Sequence, residues 1–255
     1  MGAAHGHRLH FHGHSVVHRL PAHVKVLALL TFVFCVVATP SGVFWPYGVY
    51  AAGLLLAVTA SRVPLTFIGK RMVVEVPFVG FALLMPFVAT GPRTELLGLS
   101  LSEHGLAAGA TLLCKGTLGV VASLLLAATT ESRDVLAGLQ RLRMPQQLVQ
   151  IMAFMVRYLD VTSAEMQRMR VARAARCFQA TGPRGWPTVA RSGGALFIRA
   201  YERGERVHLA MLSRGYAGWL PALSDVPACA RDWTMAALLP GLALVTSCTA
   251  WLVAR

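Results

Sequence analysis

Residues 106–128 read LAAGATLLCKGTLGVVASLLLAA, and this run decides the fold. A helix needs roughly 17 to 25 mainly apolar residues to cross a hydrocarbon layer roughly 30 Å thick, because no water is present there to satisfy backbone polar groups. The run has that length and contains one charged residue, Lys115. It therefore predicts a helix that spans a membrane.

Further apolar runs occur on both sides of this one, at 27–38, 43–60, 73–90 and 233–253. The first is the shortest, and it extends back through Val24 and Lys25, whose long side chain is expected to snorkel to the membrane interface. The chain is 55% hydrophobic and 14% charged, which excludes an ordinary soluble domain. We predict an all-α fold: a polytopic membrane bundle of about five spans, with a helical insertion before the last span.

The net charge of +13, from 24 Lys and Arg against 11 Asp and Glu, is distributed unevenly between the loops. Positive residues precede the first span and lie between the second and third, whereas the turn at 39–42 carries no charge. Cytoplasmic loops of membrane proteins are enriched in Lys and Arg. This asymmetry predicts a cytoplasmic N-terminus, a cytoplasmic insertion and an external C-terminus.

The chain divides into four predicted segments. They are a His-rich cytoplasmic leader at 1–23, a membrane bundle of four spans at 24–129, a cytoplasmic helical insertion at 130–231 and the last span at 232–255. In the leader, His10, His12 and His14 are candidate metal ligands, since imidazole nitrogen binds Co²⁺, Ni²⁺ and Zn²⁺. A tract without fixed supporting partners gives no selective site, so a disordered tail is the alternative expectation.

Two ionisable residues, Glu75 and Lys115, fall inside apolar runs, where such residues point to function. At about 1.5 Å rise per residue they are separated by roughly 12 Å along the membrane normal, which predicts no direct salt bridge between straight helices. We expect Glu75 to lie at the interface near Lys70 and Arg71, and Lys115 to be buried in the bundle. The Gly and Ala clusters at 105–109 and 116–119 predict close helix packing.

After residue 128 the pattern becomes amphipathic, which predicts three helices. The first, at 131–144, is ended by Pro145. The second runs from Gln146 to about residue 178, and the third begins at about Thr188 or Ser192, after a turn at 184–187, and stops at Gly215.

The second and third of these helices end in arginine-rich segments that read MRVARAARC at 169–177 and AMLSRGY at 210–216. Alanines beside Arg173 and Arg176 leave room for a partner surface, and a guanidinium fork binds carboxylate or carbonyl oxygens bidentately. Two simpler explanations compete with a partner site. The arginines complement the helix dipole beside a Gly215 cap, or they attract anionic lipid headgroups.

These segments resemble the paired Ala-Arg-Gly-type signatures of the transmembrane coupling component of energy-coupling factor transporters, particularly its cobalt and nickel branch, called CbiQ. The matching residues are Ala175-Arg176-Cys177 and Ser213-Arg214-Gly215. The likeness covers nearly the whole chain from Ser15 onward. One departure is Cys177, which stands where the signature usually has Gly and predicts a helix end without the usual left-handed cap. Another is Ser213, which replaces a usual Ala.

The resemblance implies a mechanism and partners. In such transporters two cytoplasmic ABC-type ATPase subunits close on ATP, and arginine-tipped coupling helices in their grooves relay the movement to a separate substrate-binding membrane subunit, CbiM-like in this branch. It implies an ATPase-coupling interface that consists of Arg173, Ala175, Arg176, Cys177, Ser213, Arg214 and Gly215. It also implies a multi-pass protein of the bacterial plasma membrane, with cobalt or nickel as cargo and a vitamin such as biotin as the alternative.

The sequence contains no Gly-x-x-x-x-Gly-Lys-Ser/Thr phosphate loop, no His-Glu-x-x-His motif and no Gly-x-Ser-x-Gly elbow. We therefore expect a chain that is not an enzyme and binds no cofactor, with ATP and Mg²⁺ held by the partner ATPases. The competing function is a membrane scaffold or metal sensor whose basic insertion binds acidic lipid or protein. Nucleic-acid binding is disfavoured, because aromatic residues do not interleave with the basic face.

Overall fold

The computed structural model describes residues 15–89, 93–96, 99–178, 182, 185–218 and 229–253. Within these residues the fold is helical apart from one hairpin. The helices are α1 Val16–Arg19, α2 Ala22–Ala38, α3 Trp45–Ser61, α4 Leu65–Gly69, α5 Val76–Val88, α6 Glu103–Thr129, α7 Ser132–Arg141, α8 Gln146–Ala175, α9 Trp186–Leu212 and α10 Ala230–Val253. A 3₁₀ turn at Met72–Glu75 precedes α5. The strands β1 Arg93–Leu96 and β2 Leu99–Ser102 pair antiparallel.

Each predicted apolar run lies mainly in one helix: α2, α3, α5 with its 3₁₀ turn, α6 or α10. Among the described helices, α6 and α10 are long and apolar enough to cross a membrane, while Ala22–Ala38 and Met72–Val88 are apolar but shorter. The predicted helical class is confirmed. The hairpin before α6 was not predicted.

The described residues form two compact units. We call 15–138 together with 229–253 the bundle unit, and 139–218 the α8–α9 unit. The core of the bundle unit is built from α2, α3, α6 and α10, and Tyr50 at its centre is fully buried. The Tyr50 ring lies edge-on to Phe32 at 6.1 Å, and its hydroxyl is 3.0 Å from Thr39 Oγ1. The core is therefore apolar but satisfies the polar groups of this pair.

Helices α5 and α6 approach each other at glycines. A Cβ atom added at Gly105 would lie 2.6 Å from the Met85 carbonyl oxygen, and one at Gly109 would lie 2.7 Å from that of Ala82. The predicted close packing at 105–109 is thus confirmed, since no side chain fits there. The close packing predicted at 116–119 is wrong for Gly119, which has open space around it.

Lys115 finds its partner at the carbonyl end of α2. Its Nζ donates to the carbonyl oxygens of Val37 (2.8 Å) and Thr39 (2.9 Å), which no helical amide satisfies. Glu75 is buried and accepts a hydrogen bond from Thr117, while its predicted position at the membrane interface stays a prediction. The 3₁₀ turn directs Glu75 towards α6, at Thr117. Although Lys115 is only two residues away in α6, no ion pair joins it to Glu75 in the described part of the chain.

Lys25 caps the carbonyl end of α6 in the same way. It is 8% exposed, and its Nζ donates to the Thr129 carbonyl oxygen (3.0 Å) and to Thr130 Oγ1 (3.3 Å). The predicted snorkelling of Lys25 is therefore wrong, because the protein itself supplies the oxygen atoms that an ammonium group otherwise finds at the membrane interface.

In the α8–α9 unit, the two helices run over long stretches with little burial. Only Val149 and Gln150 are buried in α8, and α9 has no buried residue. Helix α9 begins at Trp186, whereas a turn was predicted up to residue 187. That boundary is wrong because Pro187 occupies the first turn of the helix. Backbone N–H groups of the first turn have no acceptor within the helix, so proline loses no hydrogen bond there.

Candidate functional site at the ends of α8 and α9

Helix α8 ends in a Schellman motif. The amide of Phe178 donates to the Arg173 carbonyl oxygen (3.1 Å), and that of Cys177 donates to the Ala174 carbonyl oxygen (3.0 Å). Cys177 has φ +56°, in the left-handed region. These bonds satisfy carbonyl groups that have no partner within the helix and turn the chain sharply after Arg176.

Helix α9 ends with the same motif. The amide of Tyr216 donates to the Met211 carbonyl oxygen (3.0 Å), that of Gly215 donates to the Leu212 carbonyl oxygen (3.0 Å), and Gly215 has φ +81°. The two ends therefore correspond residue by residue. Arg176 and Arg214 each immediately precede the left-handed residue, and an aromatic residue follows it in both.

The prediction that Cys177 removes the left-handed cap is wrong. A left-handed conformation costs a residue with a Cβ roughly 1 to 2 kcal/mol, but each capping hydrogen bond contributes about 0.5 to 1.5 kcal/mol. Because both bonds of the motif form, they offset the conformational cost. The helix end keeps its geometry although the glycine of the signature is absent.

Six of the seven predicted interface residues are exposed: Ala175, Arg176, Cys177, Ser213, Arg214 and Gly215. Two exposed guanidinium groups at matching positions are available to acceptors on another molecule. Arg173 differs, since it is half-buried and its Nε and Nη1 atoms are buried without a hydrogen-bond partner. Arg173 is therefore less accessible to another molecule than Arg176 and Arg214 are.

The position of the α9 end is fixed by a contact that sequence reasoning missed. The Tyr216 hydroxyl donates to Gln150 Oε1 (2.7 Å), and the Tyr216 ring lies edge-on to His208 at 6.4 Å. Gln150 is buried near the start of α8. The aromatic residue after the left-handed position in both segments was the available signal for such an anchor.

A third helix end in this unit has the same geometry. The amides of Arg143 and Met144 donate to the carbonyl oxygens of Gln140 and Leu139, both at 3.2 Å, and Arg143 has φ +60°. Here the arginine itself takes the left-handed position. This end of α7, followed by Pro145, was predicted as a helix stop but not as a Schellman motif.

The candidate metal ligands His10, His12 and His14 lie outside the described residues. Among the residues that the structure describes, no group of three or more His, Cys, Asp or Glu side chains is arranged to hold a metal ion. The metal hypothesis for the leader stays a prediction.

Comparison with known proteins identifies the family. Residues 13–223 match the family described as CbiQ, cobalt transport protein. The chain is 30% identical over 210 residues to the cobalt transport protein CbiQ of Rhodobacter capsulatus, covering 82% of this chain and 83% of that protein. It is 27% identical over 221 residues to the energy-coupling factor transporter transmembrane protein EcfT of Listeria innocua, covering 81% and 82%.

A partial match concerns the putative fused cobalt transport protein CbiMQ of Methanocorpusculum labreanum. It is 25% identical over 207 residues, which are 76% of this chain and 35% of that protein. The apolar helical bundle and these relatives define a membrane protein of the transport class. The chain belongs to the CbiQ family, the transmembrane components of energy-coupling factor transporters.

Proposed function

We propose that the chain is the coupling subunit of an ATP-driven importer, in which two arginine-tipped helices receive the movement of two ABC-type ATPase subunits. The observation that carries the proposal is the correspondence between the ends of α8 and α9. Both present an exposed guanidinium at the same position of the same motif. Two equivalent tips suit two similar partner subunits.

The proposed topology has five spans, formed by α2, α3, the segment Met72–Val88, α6 and α10. The 17 residues of α2 and of α3 reach roughly 25 Å at about 1.5 Å per residue, near the lower limit for a span. The N-terminus and the insertion 130–231 are cytoplasmic, as the excess of Lys and Arg favours. The segments 1–23, 24–129 and 232–255 then form the leader, the four-span bundle and the last span, in the bacterial plasma membrane.

In the proposed mechanism, the ATPases bind ATP and Mg²⁺ and close, and this chain supplies no catalytic group. Arg176 and Arg214 dock in acceptor-lined grooves, and α8 and α9 pass the displacement to a substrate-binding membrane subunit. Helix α9 exposes Phe197 and Tyr201 (70% and 65%), apolar surface of the kind that mediates such contacts.

Cobalt or nickel is the proposed cargo. Support comes from the Rhodobacter relative, which is named a cobalt transport protein, and a vitamin such as biotin is the alternative. The fused CbiMQ relative supports a CbiM-like partner.

The decisive experiment compares Arg176→Ala, Arg214→Ala and their double variant in copurification with the ATPase subunits. A charge-assisted hydrogen bond contributes about 1.5 to 3 kcal/mol, so each single variant is expected to weaken ATPase binding about 10- to 100-fold. Arg168→Ala and Arg206→Ala are matched controls, since each removes an exposed arginine from the same helices. They are expected to bind normally.

Two outcomes reject the proposal. Unchanged ATPase binding and uptake in the double variant would show that the tips do not couple. Equal losses of binding in all four single variants, together with loss of the remaining binding at high salt, would favour a different function. That function is a scaffold or sensor that binds acidic lipid or protein through charge spread over many arginines.

A further inference from the structure

The first turns of α2 hold the chain both where it leaves the bundle unit and where it returns. Residues between Gly138 and Trp233 include both arginine tips, so any displacement of those tips reaches the bundle covalently through these two points. Both points contact α2 near its N-terminus. We call the contacts of His23 and Lys25 with α6, α7 and α10 the junction.

Lys25 is the polar centre of the junction. Its three ammonium hydrogens match three acceptors: the carbonyl oxygens of His18 (3.2 Å) and Thr129 (3.0 Å), and Thr130 Oγ1 (3.3 Å). It therefore joins the segment before α2 to the end of α6, immediately before α7 begins. Because all three N–H donors of Lys25 already have acceptors, none is left for an anionic ligand. The role of Lys25 is to hold the segment before α2 against the end of α6.

The outgoing segment is also fixed by close packing. A Cβ atom added at Gly138 in α7 would lie 2.7 Å from the His23 amide nitrogen and 3.0 Å from the Ala22 carbonyl carbon. Only glycine fits at such a distance. The returning segment packs on the same turn, where the Trp233 ring lies edge-on to His23 at 6.1 Å.

We propose that this junction is the mechanical connection through which displacement of the arginine tips reaches α2 and α6, and that Lys25 is its positioning residue. This inference rests on the proposed coupling function. A junction held by backbone contact and three hydrogen bonds transmits a displacement, because its helices cannot shift relative to one another without breaking those contacts. Without Lys25 the end of α6 loses its cap, and the ATPases run without moving the bundle.

Lys115 provides the matched control. It caps the carbonyl end of α2 with two hydrogen bonds of the same kind, so Lys115→Met also removes a helix-capping ammonium group, although from a less buried lysine. Its acceptors are Val37 and Thr39, at the opposite end of α2 from the junction. A residue that serves stability alone gives the same result at either end, whereas a transmission role is specific to Lys25.

The experiment measures hydrogen exchange of the full complex with its ATPases, with and without ATP and vanadate. In the natural protein, nucleotide is expected to change exchange in both α8–α9 and α2–α6. In Lys25→Met the change in α8–α9 remains, and that in α2–α6 falls at least about tenfold. Lys115→Met keeps both changes, and Lys25→Arg, which retains donors, recovers the response in α2–α6.

A second pair of variants tests the junction without touching a charge. Gly138→Ala introduces a clash at α7 and is expected to uncouple like Lys25→Met, while Gly109→Ala introduces an equally short clash, 2.7 Å from the Ala82 carbonyl oxygen, and is expected to keep the response. Co²⁺ uptake per ATP hydrolysed in vesicles is the parallel readout.

The outcomes separate this inference from the proposed function. A full nucleotide response of α2–α6 in Lys25→Met, or equal losses in Lys25→Met and Lys115→Met, overturns the inference while leaving the coupling role intact. Absence of any nucleotide response in the natural chain, including α8–α9, overturns the proposed function itself.

Discussion

Cys177 holds a conformation that glycine adopts without steric cost. Its φ of +56° places it at the left-handed position of the α8 end, while Gly215 occupies the equivalent position of α9 at +81°. The side chain of Cys177 is exposed, so the conformational cost is not offset by burial. The backbone turn that follows Arg176 therefore depends on a residue whose conformation carries a steric cost.

Cys177→Gly is expected to stabilise the α8 end by up to about 1 kcal/mol, since the left-handed penalty is removed and only unfolded-state entropy opposes it. Gly215→Ala is expected to destabilise the α9 end, because it introduces the same left-handed penalty. Thermal unfolding of the purified chain in detergent measures both. Destabilisation by Cys177→Gly would contradict this account, and Cys177→Val, β-branched at positive φ, is expected to weaken ATPase binding.

At the level of helices, the α9 tip depends on one side-chain anchor. Helix α9 buries none of its own residues, and the ion pair between Arg199 and Glu165 that joins it to α8 lies well before its end. The hydrogen bond from Tyr216 to Gln150 joins this tip to the first turns of α8, over 66 positions of sequence. The two arginine tips are therefore linked through α8.

Tyr216→Phe is expected to loosen the α9 tip by about 0.5 to 1.5 kcal/mol, because one hydrogen bond is lost and the buried Gln150 oxygen is left unsatisfied. The measurement is amide exchange of residues 210–216. Tyr201→Phe is the control, as Tyr201 is an exposed tyrosine of α9, the helix that precedes Tyr216. Equal exchange in both variants would show that the hydroxyl does not anchor the tip.

The limits of sequence reasoning follow from the range of each interaction. Length and hydropathy are local, so the apolar runs located the main helices of the bundle unit. The capping role of Lys25 was not predictable, because its acceptor Thr129 is 104 positions away. Residue propensity alone gave the wrong conformation for Cys177, where backbone hydrogen bonds decide. The correspondence of the two arginine tips was visible in the sequence, but the Schellman motif that both tips share was seen only in the structure.

For the whole molecule, the proposed topology makes a sidedness prediction that the cysteines test. Cys177 and Cys229 are exposed and belong to the proposed cytoplasmic side. In variants that retain one cysteine each, both are expected to react with an impermeant maleimide only in inside-out vesicles.

The matched control for sidedness is Ser41→Cys in a cysteine-free chain, since Ser41 is exposed in the turn proposed to be external. It is expected to react in intact cells. Labelling of Cys177 or Cys229 from outside would place the arginine tips away from ATP and refute the orientation.

The meeting of α7 and α10 on one turn of α2 also bears on how the chain can be engineered. Because Gly138 and Trp233 both lie against His23, the chain leaves the bundle unit and returns to it at neighbouring points. We therefore expect residues 139–224 to be exchangeable between homologues without a change in the connections within the bundle unit. Chimaeras that swap residues 139–224 would then inherit the ATPase preference of the donor and keep the recipient's bundle.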